Sequence, residues 1–238
     1  MKRVLKGTTM YRIRMMVTAL LLAAAGAGAA DAQESGFARA RAALTGNAGV
    51  RFEETVRNAR ANGLPTEPLI AKALEGVAKG VPADRVAVAV RQLAVSLGHA
   101  NALLRIDGRA AAAADIEATA DALQRGLPEN AVRSLRADAR PDESIALSVH
   151  ALADLHQRGV PVAVGLDVIG AWRGRGADPQ RLAEIPAAVE RLVRQGVLPA
   201  QAGAAVAGGL RAGRGLGTLN APDVAGKIGG AAKGRKKN

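Results

Sequence analysis

One short device recurs along the chain and restricts what it can fold into: a glycine, then leucine or valine, then proline. It stands as Asn62-Gly63-Leu64-Pro65, Lys79-Gly80-Val81-Pro82, Arg125-Gly126-Leu127-Pro128 and Arg158-Gly159-Val160-Pro161. Gln195-Gly196-Val197-Leu198-Pro199 is a variant one residue longer. Physically it is a helix stop followed at once by a helix start. Glycine takes the left-handed conformation that satisfies the last carbonyls, and the aliphatic residue after it packs back on the final turn. A basic residue before the glycine suits the negative end of the helix dipole, and the acids that follow, Glu67, Asp84 and Glu129, suit the positive start of the next helix. Proline blocks continuation and is tolerated in the first turn of that helix.

Between these junctions the apolar residues keep helical spacing. Val86, Val90, Leu93, Leu97, Ala100 and Leu104 follow one helix face, with Val88 and Val95 on a second, so this segment is expected to be a central, mostly buried helix. Shorter stripes run through Leu69, Ile70, Ala73, Leu74 and Val77, through Ile145, Val149 and Leu152, and through Ile185, Val189, Leu192 and Val193. The pattern predicts helices near 35–45, 50–61, 66–79, 83–105, 111–125, 129–137, 142–158, 162–174, 179–194 and 199–210, with Pro186 interrupting or restarting the ninth. The expected fold class is therefore all-α, a helical hairpin stack or irregular bundle of about nine to ten helices over 33–210. Two sub-bundles are expected to meet near 106–140. The junction glycines are 17, 46, 33 and 37 residues apart, too uneven for the fixed period of a tetratricopeptide or ankyrin array. Gly76, Gly98, Gly165 and Gly170 fall inside helices, where each costs up to about 1 kcal/mol relative to alanine, so close helix–helix approach is expected there.

Composition agrees with helices. After residue 32 only Phe37, Phe52 and Trp172 are aromatic, so the core must be built from Leu, Val, Ile and Ala. The formal charge of +12 is concentrated at the ends. Residues 1–32 hold five basic residues against Asp31, and 211–238 hold seven against Asp223. The body from 33 to 210 carries 21 basic and 19 acidic residues, which leaves no broad basic face to infer.

The N-terminal part is read as a signal peptide over 1–32. Lys2, Arg3, Lys6, Arg12 and Arg14 precede an apolar run from Met15 to Ala25, and Ala30-Asp31-Ala32 forms an A-x-A cleavage pattern. The run is too short for the ~18 apolar residues of a membrane span. Residues 10–32 make a complete signal by themselves, so Met1 and Met10 are both candidate starts. The expectation is a periplasmic or secreted protein with no transmembrane span after cleavage. The chain has no cysteine, which removes disulfides and a lipid-anchored cysteine from consideration. Beyond about residue 211 glycine and isolated charges replace the apolar pattern, and 211–238 is expected to be a flexible tail.

Candidate chemical groups are sparse. His150 and Asp154 are four apart and share one helix face. His150 and His156, six apart, point about 120° from each other and do not make a two-ligand metal face. His99 lies near the polar flank of the long helix. The pairs Glu53-Glu54 and Asp142-Glu143 are read as helix-start acids rather than as facing catalytic carboxylates. The run from Gly208 to Thr218 lacks the lysine and preceding strand of a phosphate loop. In the tail Lys227, Lys233, Arg235, Lys236 and Lys237 form a candidate surface for anionic envelope polymers. Specific nucleic-acid binding is not expected, because no aromatic residues interleave the charges.

The segment Ala73-Leu74-Glu75-Gly76-Val77-Ala78-Lys79-Gly80-Val81-Pro82-Ala83-Asp84-Arg85-Val86 resembles one carried by uncharacterised exported bacterial α-helical proteins. The resemblance covers mainly 60–105. It implies export and helices, and it implies no catalytic residues. The resulting expectation is a non-enzymatic, cofactor-free module that binds or scaffolds an unknown envelope protein or anionic polymer. Two alternatives stand beside it: an enzyme using His150 and Asp154, and a structural envelope protein attached through its basic tail.

Overall fold

The computed structural model describes residues 33–219, apart from 106–109, 141 and 177. Among these residues there are ten α-helices and no strand: α1 (33–43), α2 (Gly46–Ala61), α3 (Glu67–Ala78), α4 (Ala83–Leu104), α5 (Ala113–Gln124), α6 (Glu129–Ala137), α7 (Ala146–Gln157), α8 (Val162–Arg173), α9 (Glu184–Arg194) and α10 (Pro199–Arg211). Two short 3-10 turns, Pro179–Ala183 and Leu216–Thr218, flank the last two helices. The leader 1–32 and the five tail residues Lys227, Lys233, Arg235, Lys236 and Lys237 lie outside the described residues.

Each of the five junctions ends its helix in one way. The glycine is left-handed at every copy, from φ +66° at Gly80 to +88° at Gly196. The following aliphatic N–H donates five residues back: Leu64 to the Ala59 carbonyl (2.9 Å), Val81 to Gly76 (3.0 Å), Leu127 to Ala122 (2.9 Å), Val160 to Leu155 (3.0 Å) and Val197 to Leu192 (3.1 Å). With the glycine N–H donating three residues back, this is the Schellman arrangement. Leu127 and Val160 are buried against their helices, whereas Val81 stays exposed. Pro82, Pro128 and Pro161 fall one step before the first helical residue, Pro65 two steps before it with Thr66 as the N-cap, and Pro199 is the first helical residue itself. Pro128 and Pro161 are the N-caps of α6 and α8, with ψ of 144° and 139°. An N-cap is extended, and proline favours that extended conformation.

The described chain divides into two compact units at Val95/Ser96, inside α4. In the first unit α1, α2, α3 and the start of α4 share a core of Ala40, Leu44, Phe52, Val56, Leu69, Ile70, Val86 and Val90. Phe37 of α1 stacks on Phe52 of α2, ring centroids 5.5 Å apart. Gln33 donates to the Thr66 hydroxyl (2.6 Å), tying α1 to the start of α3. Gly76 lets α3 meet α4 closely, since a Cβ there would stand 2.7 Å from Val86 Cγ2. α2 begins at Gly46, four residues before the expected start, so Glu53 and Glu54 are mid-helix and not helix-start acids.

The second unit is a stack of helical hairpins. α5–α6, α7–α8 and α9–α10 each turn at a glycine junction; α5 packs on α7 and α7 on α9, while α6 packs on α8 and α8 on α10. Two arginines, 33 residues apart in sequence, repeat one clamp between hairpins. Arg125, at the end of α5, binds Asp154 and Gln157 of α7. Arg158, at the end of α7, binds Glu190 of α9 at 3.3 Å. In the last hairpin the same position is the uncharged Gln195.

Asp115 of α5 is buried, and one of its oxygens caps α7. It accepts from the Ser144 hydroxyl (2.6 Å), the Ile145 N–H (3.0 Å) and the Ala146 N–H (2.9 Å). That tertiary cap starts α7 at Ala146 instead of 142, leaving Asp142-Glu143 in the loop before it. Gly165 behaves as expected, with a Cβ there 2.5 Å from Leu152 Cδ1, but Gly170 has nothing within 4 Å and opens onto a groove. Pro186 is the third residue of α9, where its missing N–H is not needed, and Pro179–Ala183 winds as a 3-10 turn before it. Residues 211–219 do not behave as a tail. Leu216 and Leu219 are buried, and Gly213 closes α10 with a sixth Schellman turn.

Candidate functional site

The sequence-derived pair His150/Asp154 is not assembled. Asp154 is engaged by the Arg125 guanidinium. His150 Nδ1 instead stands 4.0 Å from Asp121, with both side chains half exposed. The nearby Arg125 is held firmly protonated, its pKa raised chiefly by the hydrogen bond to Asp154. His99 Nε2 meets Glu129 at 2.9 Å, an exposed pair. Among the described residues no group of three or more His, Asp or Glu is arranged to hold a metal ion, and no helix is long and apolar enough to cross a membrane.

One acid of each carboxylate pair, Glu53 and Glu143, serves ion pairs. Glu53 binds Arg41 at 3.1 Å and Arg57 at 2.7 Å, and the Arg41 hydrogen bond, with Arg57 beside it, holds its carboxyl below the usual range. Glu143 accepts from Arg173 (2.8 Å) and from the Arg140 N–H (3.2 Å). Burial pushes the Glu143 carboxyl up, but these two donors and the nearby positive charges outweigh it, so its pKa is lowered.

A concave feature with a largely apolar lining lies in the first unit, between α2 and α4. It is an open groove of about 740 Å³ lined by Arg51, Glu54, Asn58 and Asn62 from α2 and its cap, and by Asp84, Val88, Arg91 and Val95 from α4. Helical spacing places Val88 and Val95 seven residues apart on one side of α4, and the structure leaves them 42% and 67% exposed. This corrects the expectation that they form a second buried face. Leu64, Ala59, Ala87 and Ala94 complete an apolar floor. Arg51 and Asp84 bridge one end as an ion pair. Glu54 on the α2 side and Arg91 on the α4 side are exposed charges of opposite sign.

A second open groove, about 770 Å³, lies in the hairpin stack around Gly170, with Leu166 and Ile169 in its floor and Arg173, Arg140 and Glu143 at its edge. Arg140 and Arg173 are already paired with Glu143. Sequence reasoning found the valines of the α2–α4 groove but assigned them to the core. The signal that would have separated them is the run of polar residues on α2 opposite them, which is legible only once α2 is known to lie alongside α4. Compared with protein families, with curated proteins and with solved structures, the chain matches none.

Proposed function

We propose that this protein is an exported, non-enzymatic helical module of the cell envelope that binds an amphipathic helix of a partner protein in the α2–α4 groove. The observation that carries the reading is the exposed Val88–Val95 stripe above an alanine and leucine floor, walled by polar side chains. Apolar side chains at i and i+7 exposed beside a second helix form the kind of seat that helix-in-groove recognition uses. The lining runs from Arg51 to Asn62 on one side and from Asp84 to Val95 on the other, room for about three turns of a docked helix. Glu54 and Arg91 supply the polarity: the bound helix presents a basic residue toward α2 and an acidic one toward α4.

A photocrosslinking residue at Val95, in cells producing the whole protein, is expected to trap one envelope partner through an amphipathic helical peptide. Val88→Asp should abolish that crosslink with the far-UV spectrum unchanged, and the double reversal Glu54→Lys with Arg91→Glu should weaken it. Crosslinking indifferent to all three changes would remove the groove from consideration. Export is tested separately: the mature protein should be recovered outside the cytoplasm with Gln33 as its first residue. An uncleaved chain in the cytoplasm would overturn the envelope assignment and leave the groove untouched.

A further inference from the structure

The five helix junctions differ in the residue that precedes the glycine. Lys79, Arg125, Arg158 and Gln195 stand there in four of them, and Asn62 in the fifth. An asparagine amide carbon lies where the next peptide nitrogen can attack it and close a five-membered ring. Glutamine, one methylene longer, closes the larger ring far more slowly. Glycine offers the least hindered nitrogen for this attack, because it has no Cβ. Every other asparagine short of the terminal Asn238 is followed by alanine.

Asn62 is the exposed C-cap of α2. Three hydrogen bonds close the turn around it. Its Nδ2 donates to the Asn58 carbonyl (2.8 Å), the Gly63 N–H to the Arg60 carbonyl (3.0 Å) and the Leu64 N–H to the Ala59 carbonyl (2.9 Å). The first draws the amide back along α2, and the second covers the nitrogen that must lose its proton. While both are made, the ring does not close. They are nevertheless the last bonds of an exposed helix end. Leu64 is only half-buried, where Leu127 and Val160 are buried, and a Cβ at Gly63 would meet nothing within 4 Å. Little packing opposes local opening at such an end.

We infer that Asn62 is a self-modification site gated by the last turn of α2. When that turn opens, the Gly63 nitrogen gives up its proton and bonds to Asn62 Cγ. The Cγ–Nδ2 bond breaks, and the nitrogen leaves as ammonia. Water then opens the cyclic imide. Addition at Cγ gives aspartate, and addition at the main-chain carbonyl carbon gives isoaspartate, whose backbone runs through the former side chain. Either product places a carboxylate at the negative end of the helix dipole, which weakens the turn that had protected the amide. It also places that charge on the α2 wall of the α2–α4 groove, which Asn62 lines on the same side as Glu54. The bearing on partner binding rests on the helix-in-groove reading; the chemistry at Asn62 does not.

The test incubates the full chain at mildly alkaline pH, folded and in urea, and maps its peptides by mass spectrometry. In the folded protein Asn62 should exchange its amide for a carboxyl, with release of ammonia, while the asparagines before alanine keep theirs. The rate should be several-fold below that of the unfolded chain and should follow amide exchange at Gly63. Asn62→Gln should stay unchanged over the same time in both states. A folded chain that keeps the Asn62 amide while the unfolded chain loses it would overturn the site, and equal rates in the two states would overturn the gate. In cells carrying the Val95 crosslinker, Asn62→Asp should strengthen the crosslink by attracting the basic residue of the bound helix, at unchanged helicity. An unchanged crosslink would overturn the effect on the groove. Absence of any crosslink from the wild type would instead overturn the groove reading and leave the conversion at Asn62 standing.

Discussion

Asp115 belongs to α5, yet its carboxylate acts on the start of α7. It gathers two backbone N–H groups and a hydroxyl around one buried oxygen, so truncation strands donors rather than merely deleting a contact. Asp115→Ala should lower stability by about 1–3 kcal/mol, read as a shift in the urea midpoint at constant slope. The glycines offer a sharper contrast. Gly165→Ala drives a methyl into Leu152 and should cost about 1–3 kcal/mol despite alanine's better helix propensity. Gly170→Ala meets open space and should stabilise by up to about 1 kcal/mol. Equal effects from the two changes would show that neighbour distance does not control the outcome.

Helices end here by a repeated chain geometry, and that geometry has a requirement a side chain cannot meet cheaply. Gly126 and Gly159 hold φ of +87° and +79°, so replacing either by alanine should cost about 1–2 kcal/mol and lower the melting temperature even though no atom stands close enough to clash. The loop before α7 adds a pH dependence. Because the Glu143 pKa is lowered in the fold, its contribution is fully present above the unfolded carboxylate value of about 4.3 and is lost as pH falls through the lower folded value. Wild-type stability should therefore drop more steeply in that acid range than that of Glu143→Gln, as denaturant titrations at stepped pH will show.

Taken as a whole, the described chain carries its charge as exposed pairs laid over an aliphatic core. Such pairs are individually worth about 0–1 kcal/mol and are screened by salt. High salt should accordingly move the melting temperature little, whereas a core truncation such as Leu152→Ala should cost about 2–5 kcal/mol. A large salt-induced loss would place the stabilising terms on the surface instead. Much of this architecture was legible beforehand because it is local. A left-handed glycine, an aliphatic and a proline set a turn within a few residues, and an apolar period fixes a helix face, so the number of helices and most of their bounds followed from the sequence. What the sequence alone could not supply was each fact that depends on a neighbour far along the chain. Asp115 sets the start of α7 from 30 residues away, Leu219 turns part of an expected tail into a cover for α10, and Val88 and Val95 line a groove although their spacing suits a core. Periodicity says which residues share a face; only tertiary packing decides whether that face meets another helix or water.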